Sequence, residues 1–160
     1  MPAKTSAGLL MFRKTGDGIE VVLAHPGGPF FKNKDEGAWT IPKGEAAAGE
    51  DLLSRARIEF EEELGVEATG EFTPLGWVIQ KGGKTVHAWA VEGDLPEDFE
   101  CKSNTFEIEW PPRSGKMRSF PEVDRAGFFS LEEAARKIKP AQRDFLDRLE
   151  QLIEQPGDQP

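Results

Sequence analysis

The sequence places three glutamates on one flank of a predicted helix. Glu59, Glu62 and Glu63 are related as i, i+3 and i+4, spacings that bring side chains together on a helix of 3.6 residues per turn. Carboxylates at these positions repel one another, and the helix dipole disfavours anions near the C-terminal end. A hard divalent cation would compensate, because Mg²⁺ binds carboxylate oxygens and keeps water and phosphate oxygens as its other ligands. The alternative interpretation is a solvated acidic face.

The helix that presents these glutamates carries its own signals. Apolar residues recur at helical spacing and predict a buried stripe, which comprises Leu52, Leu53, Ala56, Phe60 and Leu64. Glu50 and Asp51 supply the acidic residues expected in a first turn, and Gly65 stands where a left-handed C-terminal cap is usual. A helix is therefore predicted to begin near Asp51 and to end at Gly65, after a Gly-rich loop.

The segment from Gly44 to Val66 resembles the Nudix box. The pattern of that box is Gly, five residues, Glu, seven residues, Arg-Glu, an apolar residue, any residue, Glu-Glu, any residue, Gly and an apolar residue. The positions that match in register are Gly44, Glu50, Glu59, Phe60, Glu62, Glu63, Gly65 and Val66. Ile58 stands where the family has an arginine that pairs with the glutamates. Arg55, one turn before Glu59, is better placed than Arg57 to replace it.

The resemblance implies a fold, a reaction and a metal. The fold is an α/β/α sandwich with a mixed β-sheet between helices, and the reaction is hydrolysis of a phosphoanhydride bond in a nucleotide. In the family, glutamates at the positions of Glu59, Glu62 and Glu63 bind the metal. A backbone carbonyl also binds it, and here this would belong to Lys43 or Gly44. The implied cofactor is Mg²⁺, with Mn²⁺ as a substitute.

Two glutamates are candidates for activating the attacking water. Glu59 would orient or deprotonate a metal-bound water without a large pKa shift. Many members of the family carry a further glutamate on a loop outside the box, and Glu122, just before the last predicted strand, is at a similar position. Glu107 and Glu109 are rivals, since they share one face of an alternating segment.

Basic and aromatic residues are candidates for substrate binding. Lys43 lies in a Pro-Lys-Gly sequence that resembles Nudix enzymes of dinucleoside polyphosphates such as diadenosine tetraphosphate, and its ammonium would hold a phosphate oxygen. The segment from Pro111 to Asp124 is predicted to be a long irregular loop with phosphate-gripping cations, namely Arg113, Lys116 and Arg118. The base is expected to stack on an aromatic ring, with Phe30, Phe31 and Trp39 as candidates, although such residues are more often in a core.

The composition limits the partners. The 160 residues carry a formal net charge of −9, which makes nucleic acid and anionic membranes unlikely partners. The single cysteine, Cys101, excludes an internal disulfide and suits a reducing compartment. Neither a signal-like apolar run nor a membrane-spanning segment is found, so we expect a cytoplasmic protein. The expected partner is a small nucleotide, and the oligomeric state is left open.

The predicted elements run in the order strands, box helix, strands and C-terminal helices. This order predicts one domain over residues 1–154 with a mixed sheet between helices, followed by a disordered tail over residues 155–160. Ser130 with Glu133 forms a capping-box pattern that starts the first C-terminal helix. His87 falls in the middle of a strand and is interpreted as a hydrogen-bonded sheet residue rather than a catalytic one.

Three functions stay open. The first is a Mg²⁺-dependent pyrophosphohydrolase for a dinucleoside polyphosphate or a nucleoside triphosphate. The second is a pyrophosphohydrolase for a nucleotide sugar, a damaged nucleotide or a capped RNA, of which the acidic charge disfavours the RNA. The third is a non-catalytic module that senses a nucleotide, which Ile58 favours and the three intact glutamates disfavour.

Overall fold

The computed structural model describes residues 4–97, 99–101 and 103–154. The predicted tail over residues 155–160 lies outside these residues. The strands are β1 (Thr5–Thr15), β2 (Gly18–Pro26), β3 (Lys43–Glu45), β4 (Thr73–Ile79), β5 (Thr85–Glu92), β6 (Thr105–Glu109), β7 (Met117–Pro121) and β8 (Val123–Ser130). The helices are α1 (Leu52–Leu64), α2 (Leu131–Lys137) and α3 (Arg143–Glu154), with a 3₁₀ turn at Pro140–Gln142 before α3. No helix within the described ranges is long and apolar enough to cross a membrane.

Six strands form one mixed sheet. The order is β4-β5-β1-β2-β8, with β3 paired to β1. Strands β1 and β5 are parallel, and the other pairings in this sheet are antiparallel. Successive side chains of a strand face opposite sides of a sheet. Leu10 and Phe12 of β1 accordingly enter one core cluster, while Leu9 and Met11 enter the other.

Helices cover both faces of this sheet. On one face, α1 buries Ala56, Phe60 and Leu64 against β1, as the predicted stripe requires. On the other face, α3 buries Phe145 and Leu149 in a second cluster that α2 also joins. The predicted α/β/α sandwich is confirmed.

A separate two-stranded sheet corrects one prediction. Strands β6 and β7 pair antiparallel, with Ile108 opposite Arg118. The prediction of an irregular loop over residues 111–124 is therefore wrong. The segment Met117–Pro121 has no alternating apolar pattern of its own, and it is a strand because β6 supplies the pairing partner. Arg118 consequently lies on a strand, and Glu122 follows that strand directly.

Candidate active site

Local hydrogen bonds fix both ends of α1. Asp51 is the N-cap, and its carboxylate accepts from the Ser54 backbone N–H at 2.9 Å and from the Ser54 hydroxyl at 2.8 Å. Gly65 adopts φ 74°, a left-handed conformation that glycine takes at low cost, and its N–H donates to the Glu61 carbonyl at 2.7 Å. These caps fix where the helix begins and ends, and therefore where the glutamates lie along it.

Arg55 pairs with two glutamates of the box. Its Nη1 donates to Glu59 Oε2 at 3.0 Å, and its Nε donates to Glu50 Oε2 at 3.0 Å. Glu50 also accepts from the Ala47 N–H at 2.9 Å, which ties the Gly-rich loop to the helix. The sequence therefore indicated the right substitute for the arginine of the box. Ile58 itself is 41% exposed and makes no such pairing.

Glu59 lies directly against β3. A Cβ on Gly44 would come within 2.1 Å of Glu59 Cδ, so only glycine leaves room for this carboxyl. Burial is the main cause that raises the pKa of Glu59. The hydrogen bond from Arg55 opposes this rise, whereas the charges of Glu62 and Glu122 reinforce it.

Glu63 is the most buried member of the cluster. Only 8% of it is exposed, and burial raises its pKa to about 8. The charges of Glu59 and Glu122 act in the same direction, while the Lys43 ammonium and the Lys43 backbone N–H oppose them. The ionised form of Glu63 therefore lacks sufficient compensating charge in the protein alone.

Glu122 joins this group from outside α1. Its backbone N–H donates to the Asn104 carbonyl at 2.8 Å, and its carbonyl accepts from the Gly27 N–H at 2.9 Å. These bonds hold the residue between β7 and β8, where its charge raises the pKa of both Glu59 and Glu63. We define Glu59, Glu62, Glu63 and Glu122 as the carboxylate cluster.

The two rival glutamates lie on β6. Glu109 Oε2 accepts from the Gly115 N–H at 2.8 Å and so closes the turn between β6 and β7. Glu107 is exposed on the same strand. His87 lies on β5 opposite Trp77, and their ring centroids are 5.8 Å apart. His87 is therefore a sheet residue, as expected, and its non-catalytic role stays a prediction.

A buried histidine that the sequence did not single out fixes the chain near Glu122. His25 has no exposed surface. Its Nδ1 lies 2.7 Å from Asp124 Oδ1, and its Nε2 lies 2.7 Å from the Lys34 carbonyl oxygen. The two contacts join β2, β8 and the loop after β2. A single histidine in an apolar strand gives no sequence signal of a partner 99 residues away.

The aromatic candidates for base stacking separate into two environments. The prediction for Trp39 is wrong, because only 5% of it is exposed and its ring packs against His25 and Phe129 in the core. Its indole N–H donates to Asp35 at 2.8 Å, which satisfies the one polar atom of the ring. Phe30 is 55% exposed, and its ring centroid is 5.5 Å from that of Trp110.

The cations predicted to grip phosphate lie on the β6–β7 hairpin. Arg113, with φ 64°, and Lys116 are exposed in its turn. Arg118 lines a cavity of about 350 Å³ together with Trp110 and Phe120. Lys43 lies instead beside Glu63, as described above, so the structure does not gather all of the predicted cations around one point.

The chemistry of the donor set fits a hard divalent cation. Among the described residues, no three His, Cys, Asp or Glu side chains are grouped closely enough to enclose a metal by themselves. Mg²⁺ does not require such a cage, since one or two carboxylates commonly hold it and substrate phosphates and waters complete the shell. Glu63 is a buried carboxyl in need of positive charge, and Glu59 lies beside it. These oxygens suit Mg²⁺ or Mn²⁺ rather than a metal that prefers nitrogen or sulfur ligands.

Comparison with known proteins places this site in a family. A family model described as NUDIX domain matches residues 2–149. The chain therefore belongs to the Nudix family, and the class of enzyme is a hydrolase acting on phosphoanhydride bonds. No curated protein sequence gives a significant match.

Solved structures share the fold at low sequence identity. The Ap4A hydrolase of C. elegans in a binary complex has a TM-score of 0.64 and 22% identity, over 94% of this chain and 98% of that one. The MutT protein from Methanosarcina mazei Go1 has a TM-score of 0.62 and 20% identity, over 96% and 97%. The NUDIX domain of Shewanella oneidensis NrtR, complexed with ADP ribose, has a TM-score of 0.66 and 12% identity, over 96% and 90%.

Proposed function

We propose that the chain is a divalent-metal-dependent pyrophosphohydrolase that cleaves a diphosphate linkage in a nucleotide. The proposed substrates are a dinucleoside polyphosphate, such as diadenosine tetraphosphate, or a nucleoside triphosphate. The observation that carries the proposal is the buried Glu63, whose charge the surrounding protein does not compensate, next to Glu59 and Glu122. A metal bound to a pyrophosphate supplies the missing positive charge and brings the scissile bond to the carboxylates.

Each residue of the cluster has a proposed role. Glu59, Glu62, Glu63 and the carbonyl of Gly44 would hold Mg²⁺ or Mn²⁺, which when bound neutralises charge on the phosphate oxygens and lowers the pKa of a bound water. Arg55 holds Glu59 in place through the hydrogen bond at 3.0 Å. The Lys43 ammonium, which lies beside Glu63, would bind a phosphate oxygen.

Glu122 is the proposed general base. The carboxylate of Glu59 is already engaged by Arg55 and packed against Gly44, whereas Glu122 is exposed at the edge of the cluster. An exposed carboxylate can accept the proton of the attacking water and release it to solvent. Glu59 would then orient the water rather than take its proton.

The β6–β7 hairpin and the loop after β2 are the proposed contacts for the rest of the nucleotide. The partly exposed rings of Phe30 and Trp110 provide a surface on which a base could stack. Arg118 lies in the neighbouring cavity and would contact a phosphate or the base. Arg113 and Lys116 extend the positive charge along the hairpin turn.

A nucleotide-sensing module without catalysis is the alternative. The Nudix domain of S. oneidensis NrtR, complexed with ADP ribose, shares the fold. The sequence feature that favoured sensing was Ile58 in the box. Because Arg55 makes the pairing with Glu59 and Glu50, this departure no longer argues against an enzyme.

A substrate panel tests the proposal. The purified protein is incubated with diadenosine tetraphosphate, ATP, ADP-ribose, a nucleotide sugar, an oxidised nucleotide and a capped RNA, each with Mg²⁺, with Mn²⁺ and with EDTA. We expect metal-dependent hydrolysis of diadenosine tetraphosphate or ATP. Chromatography of the products measures it. Nucleotide binding by calorimetry without metal-dependent turnover of any compound would support the sensor instead.

A further inference from the structure

A β-bulge interrupts the pairing of β2 with β8 close to the proposed general base. His25 of β2 lies opposite Arg125. The following residue, Pro26, lies opposite Val123, so the register skips Asp124. A bulge bends the strand that contains the extra residue and turns its side chain in a new direction, and bulges are common beside active sites. The path by which the chain reaches the cluster therefore depends on this bulge.

Two contacts of His25 hold the bulge in place. The side chain has no exposed surface, and its Nδ1 lies 2.7 Å from Asp124 Oδ1. Its Nε2 lies 2.7 Å from the Lys34 carbonyl oxygen. Because a carbonyl oxygen can only accept, Nε2 carries a proton and donates it. The Trp39 ring packs edge to face against the imidazole, with centroids 5.1 Å apart. Each ring nitrogen thus binds a different segment of the chain.

The first of these segments faces the region proposed for the nucleotide. The Asp124 side chain is 32% exposed and lines the cavity of about 350 Å³ that Arg118 and Trp110 also line. The contact with His25 gives this carboxylate one orientation at the cavity wall. Because Asp124 follows Glu122 by two residues, a shift of Asp124 would also move the backbone of Glu122.

The second segment is the loop after β2. The bond from His25 to the Lys34 carbonyl fixes the far part of this loop. The Lys34 N–H donates to the Phe31 carbonyl at 3.0 Å, which links it to the part that carries Phe30. The ring of Phe30 lies against Trp110, where the base is proposed to stack. His25 therefore bears on the position of the proposed stacking surface.

The loop and the general base are also in direct backbone contact. The Gly27 N–H donates to the Glu122 carbonyl at 2.9 Å. A Cβ on Gly27 would lie 1.9 Å from the Pro121 carbonyl oxygen, so the two segments approach as closely as glycine allows. The loop cannot shift without disturbing Glu122.

We infer that His25 is a positioning residue, which through Asp124 and the Lys34 carbonyl holds Glu122 and the loop after β2 in one fixed relation. The inference rests on the proposed function, because it takes Glu122 as the general base. A base must lie within hydrogen-bond distance of the attacking water, and a small displacement of a positioned group lowers the rate steeply. One buried side chain thus sets both the proton acceptor and the loop that contacts the nucleotide.

Two conservative variants separate the two contacts of His25. The amide nitrogen of asparagine reaches about as far as Nδ1, and that of glutamine about as far as Nε2. His25→Gln keeps the bond to the Lys34 carbonyl and loses the contact with Asp124. It should lower kcat roughly 10-fold with little change in KM, a part of the 10²–10⁴-fold that a general base contributes. His25→Asn keeps the contact with Asp124 and should raise KM about 5-fold, the scale of one hydrogen bond, with little change in kcat.

A double variant tests whether His25 acts through Glu122. In the Glu122→Gln background, His25→Gln should lower kcat by no more than about 2-fold, because the base that it positions is already lost. Ser130→Ala is the control for a general loss of stability. Ser130 is the N-cap of α2 and lies opposite Glu20, at the other end of the β2–β8 pair. This variant should lower Tm without changing kcat or KM.

Amide hydrogen exchange in EDTA gives a readout that needs no turnover. The N–H groups of Gly27 and Glu122 should exchange roughly 10-fold faster in His25→Gln than in Ser130→Ala, because the bonds that they make lose their support. Asp124→Ala changes a partly exposed residue and should give the same result if the His25 variants fail to fold. Asp124→Asn retains an acceptor for Nδ1 and should restore slow exchange.

Three results would overturn the inference. The first is unchanged exchange at Gly27 and Glu122, whether or not the substrate panel shows hydrolysis. The second is a kcat of His25→Gln equal to that of the wild type. The third is the full 10-fold loss in the Glu122→Gln background, which would show that His25 acts independently of the base. If the panel shows no hydrolysis, the proposed function fails, and the exchange data alone decide whether His25 holds the Glu122 segment.

Discussion

The carboxylate cluster and the β6–β7 hairpin carry charges of opposite sign in different surroundings. The cluster has an internal counter-ion, since Arg55 binds Glu59, but Glu63 is buried. Arg113, Lys116 and Arg118 of the hairpin are exposed to water. The comparison teaches that burial, rather than the number of like charges, leaves a group in need of an external counter-ion.

The two regions respond to crowded charge differently. In the cluster, burial dominates, and the free protein keeps a proton on Glu63 at neutral pH. On the hairpin, water screens most of the repulsion between the exposed cations. Changes in the cluster should therefore have larger effects than changes on the hairpin.

The largest expected effect is on the pH dependence of stability without metal. The pKa of Glu63 is raised from 4.5 to about 8 in the folded state. Between these values the folded protein holds a proton that the unfolded chain has lost, so the free energy of unfolding falls as pH rises through this window. Glu63→Gln removes this dependence and should be more stable than the wild type at pH 8 in EDTA, on the order of 3 kcal/mol.

Urea unfolding at pH 5 and pH 8 measures this difference. Glu61→Gln is the matched control, because Glu61 is exposed on the same helix. A pH dependence of Glu63→Gln that parallels the wild type would show that Glu63 ionises freely.

The second effect is on catalysis. Glu63→Gln, which should stabilise the fold at pH 8 without metal, should impair the reaction. Glu63→Gln should lower kcat roughly 100-fold, the scale of removing one charge-stabilising group from an active site. The stability gain and the activity loss would then come from one carboxyl. Steady-state kinetics on whichever substrate the panel identifies gives the value. Retention of more than half of the wild-type kcat would contradict a role in holding the metal.

Arg55 should have a smaller effect. Arg55→Ala leaves Glu59 without its hydrogen-bonded partner and should lower kcat about 10-fold, as for residues that orient a metal ligand. Arg57→Ala is the control, because that side chain lies over the Phe72 ring, 4.9 Å from its centroid. Arg55→Lys should recover part of the rate. Equal rates for Arg55→Ala and Arg57→Ala would show that Glu59 needs no such support.

The smallest effect is expected on the β6–β7 hairpin. Arg118→Ala should raise the KM for diadenosine tetraphosphate only about 3-fold, because an exposed cation contributes at most about 1 kcal/mol. The effect of Lys43→Ala should be larger, since Lys43 is partly buried beside Glu63. The reverse order would make the hairpin, as the sequence first indicated, the main contact for the phosphate chain.

The arrangement of the three glutamates on α1 can be predicted from the sequence because its determinants are local. The spacing of Glu59, Glu62 and Glu63, the cap at Gly65 and the partner Arg55 all follow from positions along one helix. The sandwich follows from strand and helix periodicity, which the two core clusters reflect.

The features that the sequence missed depend on distant contacts. Strand β7 forms because β6 pairs with it, and Trp39 is buried because His25 and Phe129 pack around it. His25 lies 2.7 Å from Asp124, which is 99 residues away, and neither segment indicates the other in the sequence. Non-local pairing of this kind is set by the tertiary fold, which residue spacing does not encode.

The most direct test of the central claim is thermal unfolding of the wild type and of Glu63→Gln at pH 8 with and without Mg²⁺, at matched ionic strength. If the cluster holds the cation, Mg²⁺ should raise the Tm of the wild type by several degrees, because it binds only the folded state, and it should leave the Tm of Glu63→Gln unchanged. An equal rise in both proteins, or none in the wild type with either Mg²⁺ or Mn²⁺, would contradict the account.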